Sequence, residues 1–255
     1  MPKFAANLSM LFTEHDFLDR FAAASNAGFS GVEYLFPYEY PLAELISRLT
    51  RYGLKQVLHN LPPGNWQAGE RGIACLPGRE DEFKKAVELG LQYATGLGCE
   101  RVNCLAGIRP DDLEVNKAWD TLLVNLDYAA QQFSMHGLTL TIEAINSLVD
   151  MPGFLLDSSA KAMDIIQTLK RPNLKFQYDL YHMQIMEGNL VPTLERLLPH
   201  IGHIQFADNP GRHQPNTGEI NFDFVFTQLD RMGYTGWVSA EYRPLGSTLE
   251  SLEWL

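Results

Sequence analysis

Apolar and polar positions along this chain follow two alternating periods. Runs of period two, or short continuous apolar runs, occur at 3–7 ("KFAAN"), 31–36 ("GVEYLF"), 54–59 ("LKQVLH") and 101–105 ("RVNCL"). They recur at 138–143 ("LTLTIE"), 174–179 ("LKFQYD"), 201–206 ("IGHIQF") and 237–241 ("WVSAE"). These predict strands. The stretches between them predict helices over 15–27, 41–52, 80–97, 115–135, 158–169, 189–198 and 221–232. Gly28, Gly53, Gly98, Gly137, Pro172 and Gly233 stand where those helices should stop. Eight strands, each followed by a helix and with no low-complexity linker, predict a single (β/α)8 barrel domain over residues 1–255. A doubly wound open sheet would need a Gly-rich phosphate turn after its first strand, and "NLSMLFTE" is not one.

The last four strands carry a parity signal. Leu138, Leu140 and Ile142 oppose Thr139, Thr141 and Glu143, while Leu174, Phe176 and Tyr178 oppose Lys175, Gln177 and Asp179. His203 and Gln205 share a face against Ile204 and Phe206, as Ser239 and Glu241 do against Val238 and Ala240. Side chains alternate across a strand, so the apolar faces are expected on the outer helices and the polar faces toward the barrel axis. Barrel interiors are normally filled by bulky branched residues. Four strands that end polar and inward therefore predict a site.

Glu143, Asp179, Gln205 and Glu241 each end one of these strands, and such ends converge on the catalytic face of a barrel. Three carboxylates gathered in a low-dielectric pocket repel one another. A divalent cation resolves this, and an all-oxygen ligand set suits Mg²⁺ or Mn²⁺. A single acid at a strand end is most often a helix cap or a solvated loop residue; four polar ends in register on one parity are harder to explain that way. His182, in "DLYH", is placed to orient a ligand or touch substrate. His203 lies two residues deeper than Gln205 and is expected to be a hydrogen-bonded support. Beyond it runs the polar loop "ADNPGRHQPNTGEI", where Arg212 is either a solvated arginine or a clamp for a substrate carboxylate.

Composition narrows the partners. The formal net charge of −11 repels phosphate backbones, so nucleic acid is not an expected partner. No apolar run is long enough to span a bilayer. The opening "MPKFAANLSMLFTEHDF" is interrupted by Asn7 and Ser9 and soon turns acidic, which predicts a first strand rather than a signal peptide. Cys75, Cys99 and Cys104 are odd in number and lack metal-type spacing; reduced, buried thiols in a cytoplasmic protein are expected. The aromatic segments "YLFPYEY" and "NLPPGNWQAGE" suit a lid over the site or a contact in a homo-oligomer.

The chain resembles the hydroxypyruvate isomerase family, within the xylose isomerase-like group of barrels. The resemblance runs nearly end to end, through "FAANLSMLFTE", "VEYLFPYEY", "LPGRE", "IEAIN", "DLYHMQIMEGNL", "HIQFADNPGRHQPNTGEINF" and "GYTGWVSAEYRP". It implies that Glu143, Asp179, Gln205 and Glu241 are metal ligands, and that Glu143 and Glu241 also donate and accept the proton. His182 and Arg212 match substrate-contacting positions of related ketose epimerases, and Glu219 matches a recurrent acid near the site. The implied reaction interconverts hydroxypyruvate and tartronate semialdehyde through an enediolate, with a divalent metal and no nucleotide cofactor. Nearest alternatives are isomerisation of a four-carbon 2-oxo acid sugar (2-oxotetronate) and ketose 3-epimerisation. A metal-dependent DNA-repair endonuclease would need more histidines and a basic face, and a non-catalytic sugar-acid binder would not need both glutamates.

Overall fold

The computed structural model describes residues 2–255. Eight parallel strands close into a barrel in chain order: β1 (Lys3–Asn7), β2 (Gly31–Glu33), β3 (Lys55–Asn60), β4 (Arg101–Cys104), β5 (Thr139–Glu143), β6 (Leu174–Asp179), β7 (Ile201–Phe206) and β8 (Trp237–Ala240). The seam is the β1–β8 pairing, which sets Ala5 opposite Ser239. Helices α1 (Arg20–Asn26), α2 (Leu42–Tyr52), α3 (Glu80–Leu97), α4 (Val115–Met135), α5 (Ser159–Leu169), α6 (Leu180–Met186), α7 (Leu190–Leu197) and α8 (Phe222–Arg231) surround it.

The helices end where backbone geometry predicts. Gly53 and Gly98 cap α2 and α3 in the left-handed conformation, which costs glycine no Cβ clash. Four elements depart from the sequence pattern, the first being β2, which stops at Glu33 rather than running to Phe36. The first helix is expected from residue 15, but a 3-10 turn at Phe17–Asp19 precedes α1. The chain before it is held instead in turns, one tied to the C-terminal segment by the Phe12 amide donating to Thr248 Oγ1 at 2.7 Å. The short helix α6 falls between the helices that the sequence pattern predicts. It starts directly at the end of β6, because Asp179 Oδ1 caps it by accepting from the amides of Tyr181 (2.7 Å) and His182 (3.3 Å). The last strand is followed by the 3-10 turn Leu249–Leu252 rather than by an α-helix.

The strand parity holds. Phe176, Tyr178, Ile204 and Phe206 are buried against the helical layer. Phe206 meets Trp254, Phe226 and Phe4 edge-on, at centroid distances of 4.9, 5.2 and 6.1 Å. Each such side chain contributes roughly 1.5–3 kcal/mol by leaving water. Inside the barrel the apolar filling is small: Ala5, Val57 and Leu58, with Trp237 packed on them. A Cβ on Gly31 would sit 2.6 Å from Trp237 Cζ3, so glycine is required where the indole crosses the floor. Above this floor the interior is polar, and hydrogen bonds replace apolar packing.

Candidate active site

The interior polar groups form one connected network. Gln177 donates to Glu143 Oε2 (3.0 Å) and Gln205 Oε1 (2.6 Å), and Asn103 donates to Glu143 Oε2 (3.1 Å). Gln205 Nε2 donates to Glu33 Oε1 (2.7 Å), and Asn7 Nδ2 bridges Glu33 Oε1 (3.0 Å) and Glu241 Oε1 (2.8 Å). Beneath them His203 Nε2 lies 2.7 Å from Glu33 Oε2, both side chains fully buried. Glu143 and Glu241 are thus held by donors on neighbouring strands, and Glu33 by Asn7 on β1 and, across the barrel, by His203 and Gln205 on β7. These bonds fix carboxylate orientation at the mouth of the barrel.

A cavity of about 190 Å³ opens above this network. Glu143, Glu241, His182 and Arg212 line it. Asp179 lies directly below, its Oδ2 3.8 Å from His182 Nε2 and 3.9 Å from Arg212 Nη2. Gln205 stands opposite Asp179 on the next strand and does not line the cavity; its amide oxygen accepts from Gln177. Glu219 is not in the cavity. It is exposed and accepts from Asn209 Nδ2 (2.6 Å) and Gln184 Nε2 (3.1 Å). The expectation of Glu219 beside the substrate therefore finds no support in its position.

The loop after β7 explains both placements. Asp208 is fully buried and gathers the amides of Asn209, Thr217, Gly218 and Ile220 at 2.8–3.1 Å. That clamp turns Glu219 outward. It also leaves Arg212 at positive φ (59°), with its carbonyl accepting from the Arg243 amide at 2.8 Å and its guanidinium on Glu241 Oε2.

Electrostatics make the site unusual. Burial, with Glu241 and Asp179 alongside, pushes Glu143 well above the usual carboxylate range. Burial also raises Asp179 and Glu241, with Arg212 acting in the opposite sense on both. Burial opposes the charge on Arg212, yet Glu241 and Asp179 hold it protonated. Burial and then Arg212 push His182 well below the usual imidazole range. For Glu33 burial works upward, but the charge and hydrogen bond of His203 outweigh it and hold Glu33 low. One guanidinium thus faces three buried carboxylates at the mouth. Asp179 Oδ2 is buried without a hydrogen-bond partner. An orphaned carboxylate oxygen within an acid cluster fits a divalent cation held by oxygen donors. By proximity alone Glu143, Asp179 and His182 form a group able to hold an ion.

Of the other wall residues, the sequence marks Asn60 and Trp66 only as part of the covering segment, and Arg71, Asp150 and Arg243 by no pattern. Asn60, Trp66, Arg71, Asp150 and Arg243 also line the cavity. Arg71 lies over the Trp66 ring at 3.9 Å and donates to the Trp66 and Glu70 carbonyls at 3.0 and 2.8 Å. The segment "NLPPGNWQAGE" thus contributes wall to the site, in keeping with a covering segment. Asn7 and Asn103, at or near the ends of their strands, carried the same signal as the four ligand candidates. Glu33 carried little, being an acid inside an apolar run.

The sequence profile described as a xylose isomerase-like TIM barrel matches residues 21–255. The chain is 48% identical to hydroxypyruvate isomerase of Escherichia coli K12, over 100% of this chain and 98% of that protein. The chain belongs to the hydroxypyruvate isomerase family. A second member of similar closeness, 2-oxo-tetronate isomerase of Cupriavidus necator, is 47% identical over 100% of this chain and 98% of its own length. A crystal structure described as an AP endonuclease, family 2, from Brucella melitensis superposes with a TM-score of 0.97 at 42% identity, covering 100% and 98% of the two chains. The family's named members are enzymes, and those two are isomerases. Among the described residues no helix is long and apolar enough to cross a membrane, and all three cysteines are free and buried.

Proposed function

We propose that this chain is a metal-dependent isomerase that interconverts hydroxypyruvate and tartronate semialdehyde. The observation that carries this is two buried glutamates, Glu143 and Glu241, lining one small cavity whose acid cluster holds an orphaned oxygen. The residues that would hold the cation are Glu143, Asp179 and Glu241, with Gln205 as a neutral oxygen beside them. Hard oxygen donors favour Mg²⁺ or Mn²⁺. Bound there, such an ion would supply Lewis acidity toward the oxygens of the substrate.

The protein's own groups perform the proton transfer. One glutamate removes a proton from the hydroxymethyl carbon, the electrons pass into an enediolate, the hydroxyl proton passes from the terminal oxygen to the neighbouring oxygen, and a proton returns to the neighbouring carbon. The carbonyl has then moved by one carbon, with atoms and electrons conserved. No nicotinamide or flavin is needed. Asn103 and Gln177 hold Glu143, and Asn7 holds Glu241, so each base reacts from a fixed orientation.

The substrate carboxylate would be met by the arginines of the wall. Arg212 is engaged by Glu241 and so stands at the acid cluster. Arg71 lies over the Trp66 ring, and no acidic side chain of the described residues is within ion-pair distance of it. Arg71→Ala is expected to raise KM for hydroxypyruvate about 10–100-fold with a smaller change in kcat, the scale of one charge-assisted hydrogen bond. Steady-state kinetics with an unchanged KM would remove Arg71 from the binding role.

A four-carbon substrate is the second reading, favoured by the near-equal identity to a named 2-oxo-tetronate isomerase. A cavity of about 190 Å³ lies below the roughly 300–1,000 Å³ of drug-sized pockets. It suits a three- or four-carbon acid better than a ketohexose. A net charge of −11 over an acid-lined cavity does not suit duplex DNA. Free buried thiols suit a reducing cytoplasm.

A substrate panel with product identification tests the assignment. Hydroxypyruvate or 2-oxotetronate should turn over far faster than any ketohexose, and abasic DNA should remain uncut. Stripping divalent metal should abolish turnover, and restoring Mg²⁺ or Mn²⁺ should revive it. Metal at a hundredfold over its Kd should also stabilise the fold by about 2.7 kcal/mol, read as a rise in Tm. Full activity after verified metal removal would refute the metal assignment.

A further inference from the structure

Asn146 lies in the loop after β5, buried behind the cavity wall. Its Oδ1 accepts from the amides of Val149 (3.0 Å) and Asp150 (2.8 Å). These two donors decide which end of the side-chain amide is oxygen, because the reversed amide would set an NH₂ against two N–H groups. The Nδ2 end therefore faces Asp150 Oδ2 at 2.5 Å and His182 Nδ1 at 2.7 Å. An amide nitrogen carries two hydrogens and no free acceptor, so it can serve both. His182 Nδ1 must then be an acceptor and carry no proton. The ring is neutral, with its hydrogen on Nε2. That nitrogen lies 3.8 Å from Asp179 Oδ2 and 3.9 Å from Glu143 Oε1, at the edge of the acid cluster.

We propose that Asn146 is a positioning residue that locks His182 as the neutral Nε2–H tautomer, so that His182 donates a hydrogen bond into the cavity and does not ligate the metal. Proximity alone would count His182 with Glu143 and Asp179 as a metal-holding group. To ligate, Nε2 would have to offer its lone pair, and the ring hydrogen would move to Nδ1. There it would meet the Asn146 NH₂, donor against donor. The cation is therefore left to the carboxylates and to oxygen, and the imidazole N–H is free for a substrate oxygen. A fixed neutral donor at that point stabilises the negative charge that builds on an enediolate oxygen without taking a proton from the bases. This use of His182 rests on the isomerase function proposed above; the tautomer does not.

The test separates the two. Nitrogen-15 NMR of the Mg²⁺-loaded, histidine-labelled protein, with His182→Gln to identify the resonance, should show the hydrogen on Nε2 and a bare Nδ1. A bare Nε2, as metal ligation requires, or an imidazolium would overturn the proposal. Asn146→Asp keeps an acceptor for the Val149 and Asp150 amides but replaces the donor with oxygen. His182 Nδ1 should then gain a proton, and kcat should fall about 100-fold, the loss typical of one transition-state donor, with KM little changed. The companion variant Asn146→Asp/Asp150→Asn removes the new carboxylate pair and should show the same proton on Nδ1. Altered protonation with unchanged kcat would overturn the donor role. A wild-type enzyme that keeps the Nε2–H pattern but turns over no oxo acid would refute the isomerase function while supporting the tautomer lock.

Discussion

Glu143→Gln and Glu241→Gln should each leave a folded protein whose isomerase kcat is lower by about 10²–10⁴-fold, the contribution typical of a positioned general base. At 298 K a thousandfold loss corresponds to about 4 kcal/mol of barrier. Glutamine keeps the shape at both positions. At position 143 its amide oxygen can still accept from Asn103 and Gln177, which now meet Oε2 at 3.1 and 3.0 Å. The NH₂ then occupies the cavity side, where it can neither take a proton nor bind a cation. At position 241 the oxygen can remain on Asn7, now 2.8 Å from Oε1, so the NH₂ faces the Arg212 guanidinium, donor against donor. Glu241→Gln should therefore release Arg212 as well as remove a base, and its loss should be the larger. The double variant should fall little further, since groups that act as one unit are not additive. Circular dichroism and Tm establish folding, and exchange of the substrate proton with D₂O shows which carbon each glutamate serves. Wild-type kcat in either variant would sink the proton-transfer assignment.

The barrel and most of this site were legible because they obey simple periods. Phe176 against Gln177, and Ile204 against Gln205, declare which side of each strand faces the axis. Strand ends converge in a barrel, so topology alone gathers Glu143, Asp179 and Glu241. What escaped was not periodic. Glu33 sits in "GVEYLF", where β2 is only three residues long and its register with β3 slips between Val32 and Glu33; its neighbours disguise it as core. Helix α6 escaped because Asp179 is both strand end and cap, leaving no polar gap to mark a boundary. The fate of Glu219 depends on how Asp208 folds a loop by gathering distant amides. Arg71 and Asn146 enter the site through loops whose paths rest on side-chain to backbone bonds. Such bonds have no repeat that a sequence displays.

Glu33 is also where the fold is most exposed to a single change. Glu33→Ala should destabilise the protein by about 3–5 kcal/mol, the cost of leaving several buried hydrogen-bond partners of one carboxylate unsatisfied. The side chain is 0% exposed and accepts from His203, Gln205 and Asn7 at 2.7, 2.7 and 3.0 Å. Removing it strands three buried donors together. Gln205 would lose one of the two bonds that fix its amide, so metal affinity should fall along with stability. Glu33→Gln should lose less, because its oxygen can keep Gln205 and Asn7 while its NH₂ forces His203 Nε2 to become an acceptor. His203→Ala should also be strongly destabilising, yet the double variant Glu33→Ala/His203→Ala should cost less than the two losses added, by about 0.5–3 kcal/mol of coupling. Urea unfolding of the four proteins completes the cycle. Losses below about 1 kcal/mol for Glu33→Ala, within the range of a single ordinary hydrogen bond, would show that the barrel's polar interior is held by something other than this pair.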